Sequence, residues 1–135
     1  LGRLDARGYI GVQAYVEATP ARSEVLGRIR TLLRDATKRA TTVGYGPRFL
    51  HSTGQLHKGG APIGWFLQIV AEHPTDAGVP GRDFSFGQLI DAQALGDARS
   101  LVDHGLPVLR VRLGADADAG LAALAELIGR AVAVR

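Results

Sequence analysis

Apolar positions along this chain recur with two periods that take turns. From Tyr9 to Val16, Ile10, Val12, Ala14 and Val16 alternate with Tyr9, Gly11, Gln13 and Tyr15, the period of a strand. Thr19 then offers a helix N-cap, with Pro20 at the first helical position, where its missing N–H costs nothing. Val25, Leu26, Ile29, Leu32, Leu33 and Ala36 fall on one helical stripe, and Arg22, Arg28, Arg30 and Arg34 lie largely outside it. A short β-prone run, Thr41 to Val43, leads into Gly44. Gly64 to Val70 is almost continuously apolar, as strands buried on both faces are. The segment from His73 to Asp83 is broken by prolines and glycines and reads as an excursion. Ser85 caps a helix with Phe86, Leu89, Ile90, Ala94, Ala98 and Leu101 on its inner face and Gly105 as its stop. Pro107 to Leu113 is a fourth strand. Asp116 or Asp118 opens a final helix lined by Leu121, Leu124, Ala125, Ile128 and Val132.

Strands that alternate with helices predict an α/β fold: a three-layer, doubly wound sandwich whose mainly parallel sheet has four or five strands and helices on both faces. In such sheets ligands bind beyond the carboxyl ends of the strands. The glycine-rich segment from Gly44 to Gly60 follows a strand and is placed at that end. A chain of 135 residues suits one such domain. The first few residues read as the remnant of an interdomain connection.

Composition narrows the picture. Hydrophobic residues make up 46% and charged residues 21%, a globular balance. The basic excess is carried almost entirely by arginines spread along the chain, which does not resemble a nucleic-acid-binding arm. Arginine suits bidentate contact with phosphate esters, so a small anion is a natural partner. With no cysteine there are no disulfides, thiolate nucleophiles or cysteine zinc sites. No apolar run approaches the roughly 20 residues of a membrane span, so a cytoplasmic location with no membrane partner is expected. A chain that opens on Leu1 and has no methionine reads as one domain of a longer protein.

The candidate chemistry lies in TVGYGPRFLHSTGQLHKGG, from Thr42 to Gly60. Its glycines let backbone N–H groups approach an anion. Arg48 and Lys58 add charge, and His51, Ser52, Thr53, Gly54 and Gln55 add hydrogen-bonding capacity for a hydroxylated ligand. Neither the phosphate-binding loop spacing nor the dinucleotide fingerprint is present. His57 and Lys58 are the candidate catalytic pair, because imidazole works near neutral pH without a large shift. For each histidine a packing role stands beside the catalytic one. Two histidines with no acidic ligand between them do not make a metal site. The segment holds no Asp or Glu, so a carboxylate base must come from elsewhere; Asp35 and Glu72 are the nearest in sequence. Asp76 and Asp83 read as turn or cap residues. Gln13 either points into a pocket or satisfies a neighbouring backbone group.

That segment, followed by GWFLQI, VPGRDFSFGQL and AQALGD, resembles the carboxy-terminal glucose-6-phosphate isomerase domain of bifunctional transaldolase/glucose-6-phosphate isomerase proteins. The likeness runs from about Tyr9 to Leu113. It implies a sugar-isomerase (SIS) domain that interconverts glucose 6-phosphate and fructose 6-phosphate with no cofactor. It also implies preceding isomerase and transaldolase domains in the same chain, with the isomerase site completed by the preceding isomerase domain or by a second subunit in a homodimer. Thr53-Gly54-Gln55 look like part of the family's TNGQH motif. There the histidine after the glutamine opens the sugar ring; here Leu56 intervenes, and the role passes to His57. The family's catalytic lysine on a late helix has no counterpart in the helix after Ser85, so that role is vacant or moved to Lys58 or an arginine. A non-catalytic phosphosugar-binding or assembly domain is the alternative.

Overall fold

The structure is a computed structural model, and it describes residues 7–134. The residues before these, read from sequence as the remnant of a connection, lie outside the described part.

Four strands form one parallel sheet: β1 (Tyr9–Tyr15), β2 (Thr41–Tyr45), β3 (Gly64–Val70) and β4 (Val108–Arg112), in the order β2-β1-β3-β4. The helices are α1 (Pro20–Thr37), α2 (Thr53–Gly59), α3 (Phe86–Asp103) and α4 (Ala117–Ala133), with a 3₁₀ turn at Arg48–Leu50. Period-two alternation divides the central strands between two layers. Ile10, Val12 and Ala14 of β1 join Leu67 and Ile69 of β3 in a core with Leu26, Ile29 and Leu33 of α1 and Leu121, Leu124 and Ala125 of α4. Their neighbours face the opposite layer. Tyr15 and Val70 pack there with Phe49 and with Ala94 of α3, and Phe66 packs with Leu101 and Leu106. Helices on both faces of a parallel sheet make the doubly wound arrangement that the alternation predicts.

Local signals set the helix ends. The Thr19 hydroxyl accepts from the Arg22 N–H, with Pro20 opening α1. Ser85 and Gln88 form a reciprocal capping box at α3. The Asp116 carboxylate accepts from the N–H groups of Asp118 and Ala119 at α4, which makes Asp116 the cap. Gly105, at φ 74°, takes the left-handed conformation that ends α3.

Two expectations change. Phe86 and Leu89, read as inward-facing, are exposed, because the buried face of α3 is instead Gly87, Ala94, Asp97, Ala98 and Leu101. The long glycine-rich loop is also shorter than predicted. Its middle folds into the 3₁₀ turn and α2, so the irregular stretches are only a few residues each.

Candidate functional site

The strand order turns at β1, from which the chain passes first to β2 and then, on the other side, to β3. Such a point opens a crevice beyond the carboxyl ends of the strands. A cleft of about 670 Å³ lies there. Its walls come from the segments leaving β1 (Glu17, Ala18), β2 (Gly46, Arg48) and β3 (Glu72, His73), with Tyr15 and Tyr45 at the strand ends. Of its two arginines, Arg22 is already neutralised: its Nε lies 2.7 Å from Asp118 Oδ1, and Glu17 is 3.7 Å from its Nη1. The hydrogen bonds it donates to Asp118 hold that guanidinium protonated more firmly than usual. Arg48 makes no ion pair among the described residues. Neither does Glu72. The cleft therefore presents one uncompensated cation and one uncompensated carboxylate.

The sequence-predicted residues separate around this cleft. Arg48 lines it. His51, Ser52, Thr53 and Gln55 are exposed on the turn and on the start of α2. Ser52 precedes α2 with φ 46°. Gly54 is buried, and its role is steric: a Cβ there would overlap the Phe49 carbonyl, so only glycine lets α2 pack against the 3₁₀ turn. His57 and Lys58 are adjacent in sequence but diverge, as neighbours about 100° apart around a helix must.

His57 turns down onto the sheet. It is 3% exposed, stacks on Tyr9 with ring centroids 5.3 Å apart, and meets Phe66 edge-on at 4.9 Å. The Tyr9 hydroxyl lies 2.7 Å from its Nδ1. Burial, with a smaller contribution from the Lys58 charge, holds this imidazole below its ordinary value, and burial raises the Tyr9 phenol. The phenol is thus the donor and Nδ1 the acceptor, which leaves the proton on Nε2. Tyr9 begins β1, whereas Tyr15 ends it at the cleft. The separation along the strand is roughly 20 Å.

Lys58 turns sideways to α3. Its Nζ donates to Asp97 Oδ1 and to the Phe49 carbonyl oxygen, while the Tyr15 hydroxyl donates to Asp97 Oδ2. Both carboxylate oxygens are thereby used, and the Asp97 side chain is 2% exposed. Burial, then the hydrogen bond to Asp97, raises the Tyr15 phenol and keeps it protonated. Tyr15 is a wall of the cleft, so this closed network stands directly behind it. Sequence reading missed Asp97. Its signal was present: a carboxylate amid the apolar stripe formed by Ala94, Ala98 and Leu101.

Two further polar groups lie on the same sheet face. Gln13 and Gln68 are register partners on β1 and β3, both fully buried. Gln68 donates to the Ala94 carbonyl at 2.8 Å. The Gln13 amide has no partner on either atom, nor does Gln68 Oε1. Gln13 thus neither reaches the cleft nor satisfies a backbone group, the two roles its position suggested.

On the β3 side of the cleft, His73 Nε2 lies 3.3 Å from Asp91 Oδ1 on α3. Its ring rests on Gly87, where a Cβ would come within 2.8 Å of Cγ and Cδ2. Asp76 receives the N–H groups of Gly87 and Ala77. It is held below the usual carboxylate range chiefly by its hydrogen bond with Ser85 and then by Gly87. Asp76 therefore braces the start of α3, in keeping with its predicted turn role.

A second hollow of about 470 Å³, between α4 and β4, is lined by Leu33, Trp65, Leu109, Leu127 and other side chains and is almost wholly apolar. Among the described residues no group of three or more side chains is arranged to hold a metal ion. No described helix is long and apolar enough to cross a membrane.

No protein family and no curated protein sequence matches this chain. Among solved structures it is similar to the crystal structure of hypothetical protein TT0462 from Thermus thermophilus. The TM-score is 0.79 at 15% identity, over 94% of this chain and 35% of the other. The likeness is one of fold. The chain spans about a third of that protein's length.

Proposed function

We propose that this domain binds a phosphorylated sugar in the carboxyl-end cleft and forms part of an aldose–ketose isomerase site acting on glucose 6-phosphate and fructose 6-phosphate. The observation that carries the reading is Arg48, an unpaired guanidinium on a crevice at the turning point of a parallel sheet. A phosphate ester offers the oxygens to which that fork binds. The Tyr45 hydroxyl and Glu72 add the hydrogen-bonding groups that a polyhydroxylated substrate needs. The sequence resemblance supplies the substrate and the reaction. On that resemblance, a preceding isomerase domain or a second subunit completes the site, and a transaldolase domain lies elsewhere in the full protein.

His57 and Lys58 enter this proposal unequally. Lys58 touches the cleft wall through Asp97 and Tyr15, whereas His57 is enclosed by Tyr9 and Phe66. Enclosure of His57 favours the second reading, a domain that binds the phosphosugar without converting it. Calorimetric titration with fructose 6-phosphate tests both: saturable binding is expected, and its absence overturns both. Turnover by the full-length protein separates them, and an unchanged rate in His57→Ala rejects His57 as the ring-opening group.

A further inference from the structure

We infer that His73, not His57, is the imidazole that meets the sugar in this cleft, with Asp91 as its positioning residue; the inference rests on the phosphosugar reading above. Ring opening needs a group that accepts the proton of the anomeric hydroxyl and delivers one to the ring oxygen. His57 is poorly placed for that task, because Tyr9 already occupies Nδ1 and its ring is buried on the sheet at the far end of β1.

His73 meets the requirements. It leaves the carboxyl end of β3, lines the cleft together with Arg48, and is partly exposed. Asp91 accepts from Nε2, which assigns the proton to that nitrogen and leaves the Nδ1 lone pair without a hydrogen bond among the described residues. Gly87 gives the ring its seat. The groups around it are Asp91 and Asp76, both carboxylates, with Glu72 as its chain neighbour.

The step balances within the sugar. Nδ1 takes the proton of the anomeric hydroxyl, the ring C–O bond breaks as the carbonyl forms, and the same proton passes to the released ring oxygen. One O–H bond and one C–O bond are lost; one O–H bond and the second bond of a carbonyl are gained. No oxidant, metal or second substrate takes part.

Nitrogen-15 spectra of the imidazoles, recorded at pH 8 while fructose 6-phosphate is added, read this directly. The chain has four histidines, and exposed His104 serves as an internal control. The inference predicts a saturable shift of the His73 Nδ1 signal, with His57 and His104 unmoved. It also predicts that Nδ1 of His73 is the unprotonated nitrogen before addition, and that Asp91→Ala mixes the two tautomers. Gly87→Ala, whose new methyl meets the ring, is expected to reduce the His73 response at least fivefold. Saturable binding that shifts His57 and leaves His73 unmoved overturns the inference and leaves the phosphosugar reading standing. No saturable response at any histidine, with no heat of binding, overturns that reading and the inference together.

Discussion

Lys58 and Asp97 lie 39 positions apart and meet in an ion pair that also engages the Tyr15 hydroxyl, joining α2, α3 and the end of β1 through one carboxylate. A buried carboxylate is tolerated because both of its oxygens accept from donors. Removing one partner is therefore far more costly than removing both. Lys58→Met should destabilise the domain by about 3–5 kcal/mol, the usual consequence of stranding a buried charge. Lys58→Met combined with Asp97→Leu should recover a large part of that loss. Urea unfolding of the single and double variants measures the difference.

The pH dependence of stability carries the signature of His57. Its folded value lies below the ordinary one, so the unfolded chain takes up the proton first. The stabilising contribution is complete above the ordinary value of about 6.5 and is lost as pH falls from there through the lower folded value. Wild-type Tm should therefore drop more steeply between pH 7.5 and 5.5 than that of His57→Gln. Parallel slopes would show that the buried imidazole is not coupled to folding.

Two glycines in helices should respond oppositely to alanine. Gly54→Ala drives a methyl into the Phe49 carbonyl and should cost about 2 kcal/mol or more. Gly96, on the exposed side of α3, has open space at its Cβ, and Gly96→Ala should stabilise by up to about 1 kcal/mol through helix propensity. Thermal denaturation of both variants tests whether α2 packs against the 3₁₀ turn as described.

Elements with strong local signals were legible in the sequence. The period of two in β1, the apolar run of β3 and the caps at Thr19 and Ser85 mark the observed boundaries closely. The stretch around α2 was harder to read because its glycines serve close packing as well as turns: Gly54 sits inside a helix against another segment's backbone. The site was legible only in part. A linear reading kept His57 and Lys58 together, while a helix sends neighbouring side chains to different surroundings. Asp97 and Tyr15 come from elements distant from that segment in sequence, and only the packing of α3 beside the sheet brings them to Lys58.

On the isomerase reading, the isolated 135-residue chain should show little or no turnover, because the resemblance places further parts of the site in other domains. A coupled assay of glucose 6-phosphate formation checks this, and brisk conversion by the chain alone would refute the division of the site.

Whether Arg48 holds the phosphate is read by the affinity of fructose 6-phosphate for Arg48→Ala, measured by calorimetry beside the wild type and Arg130→Ala on the outer face of α4. Loss of a charge-assisted contact with phosphate should weaken binding at least about tenfold in Arg48→Ala, while Arg130→Ala stays within about twofold of the wild type on the ordinary tolerance of a surface change. Equal affinity in all three proteins would place the phosphate outside the carboxyl-end cleft and rule out Arg48 as its ligand.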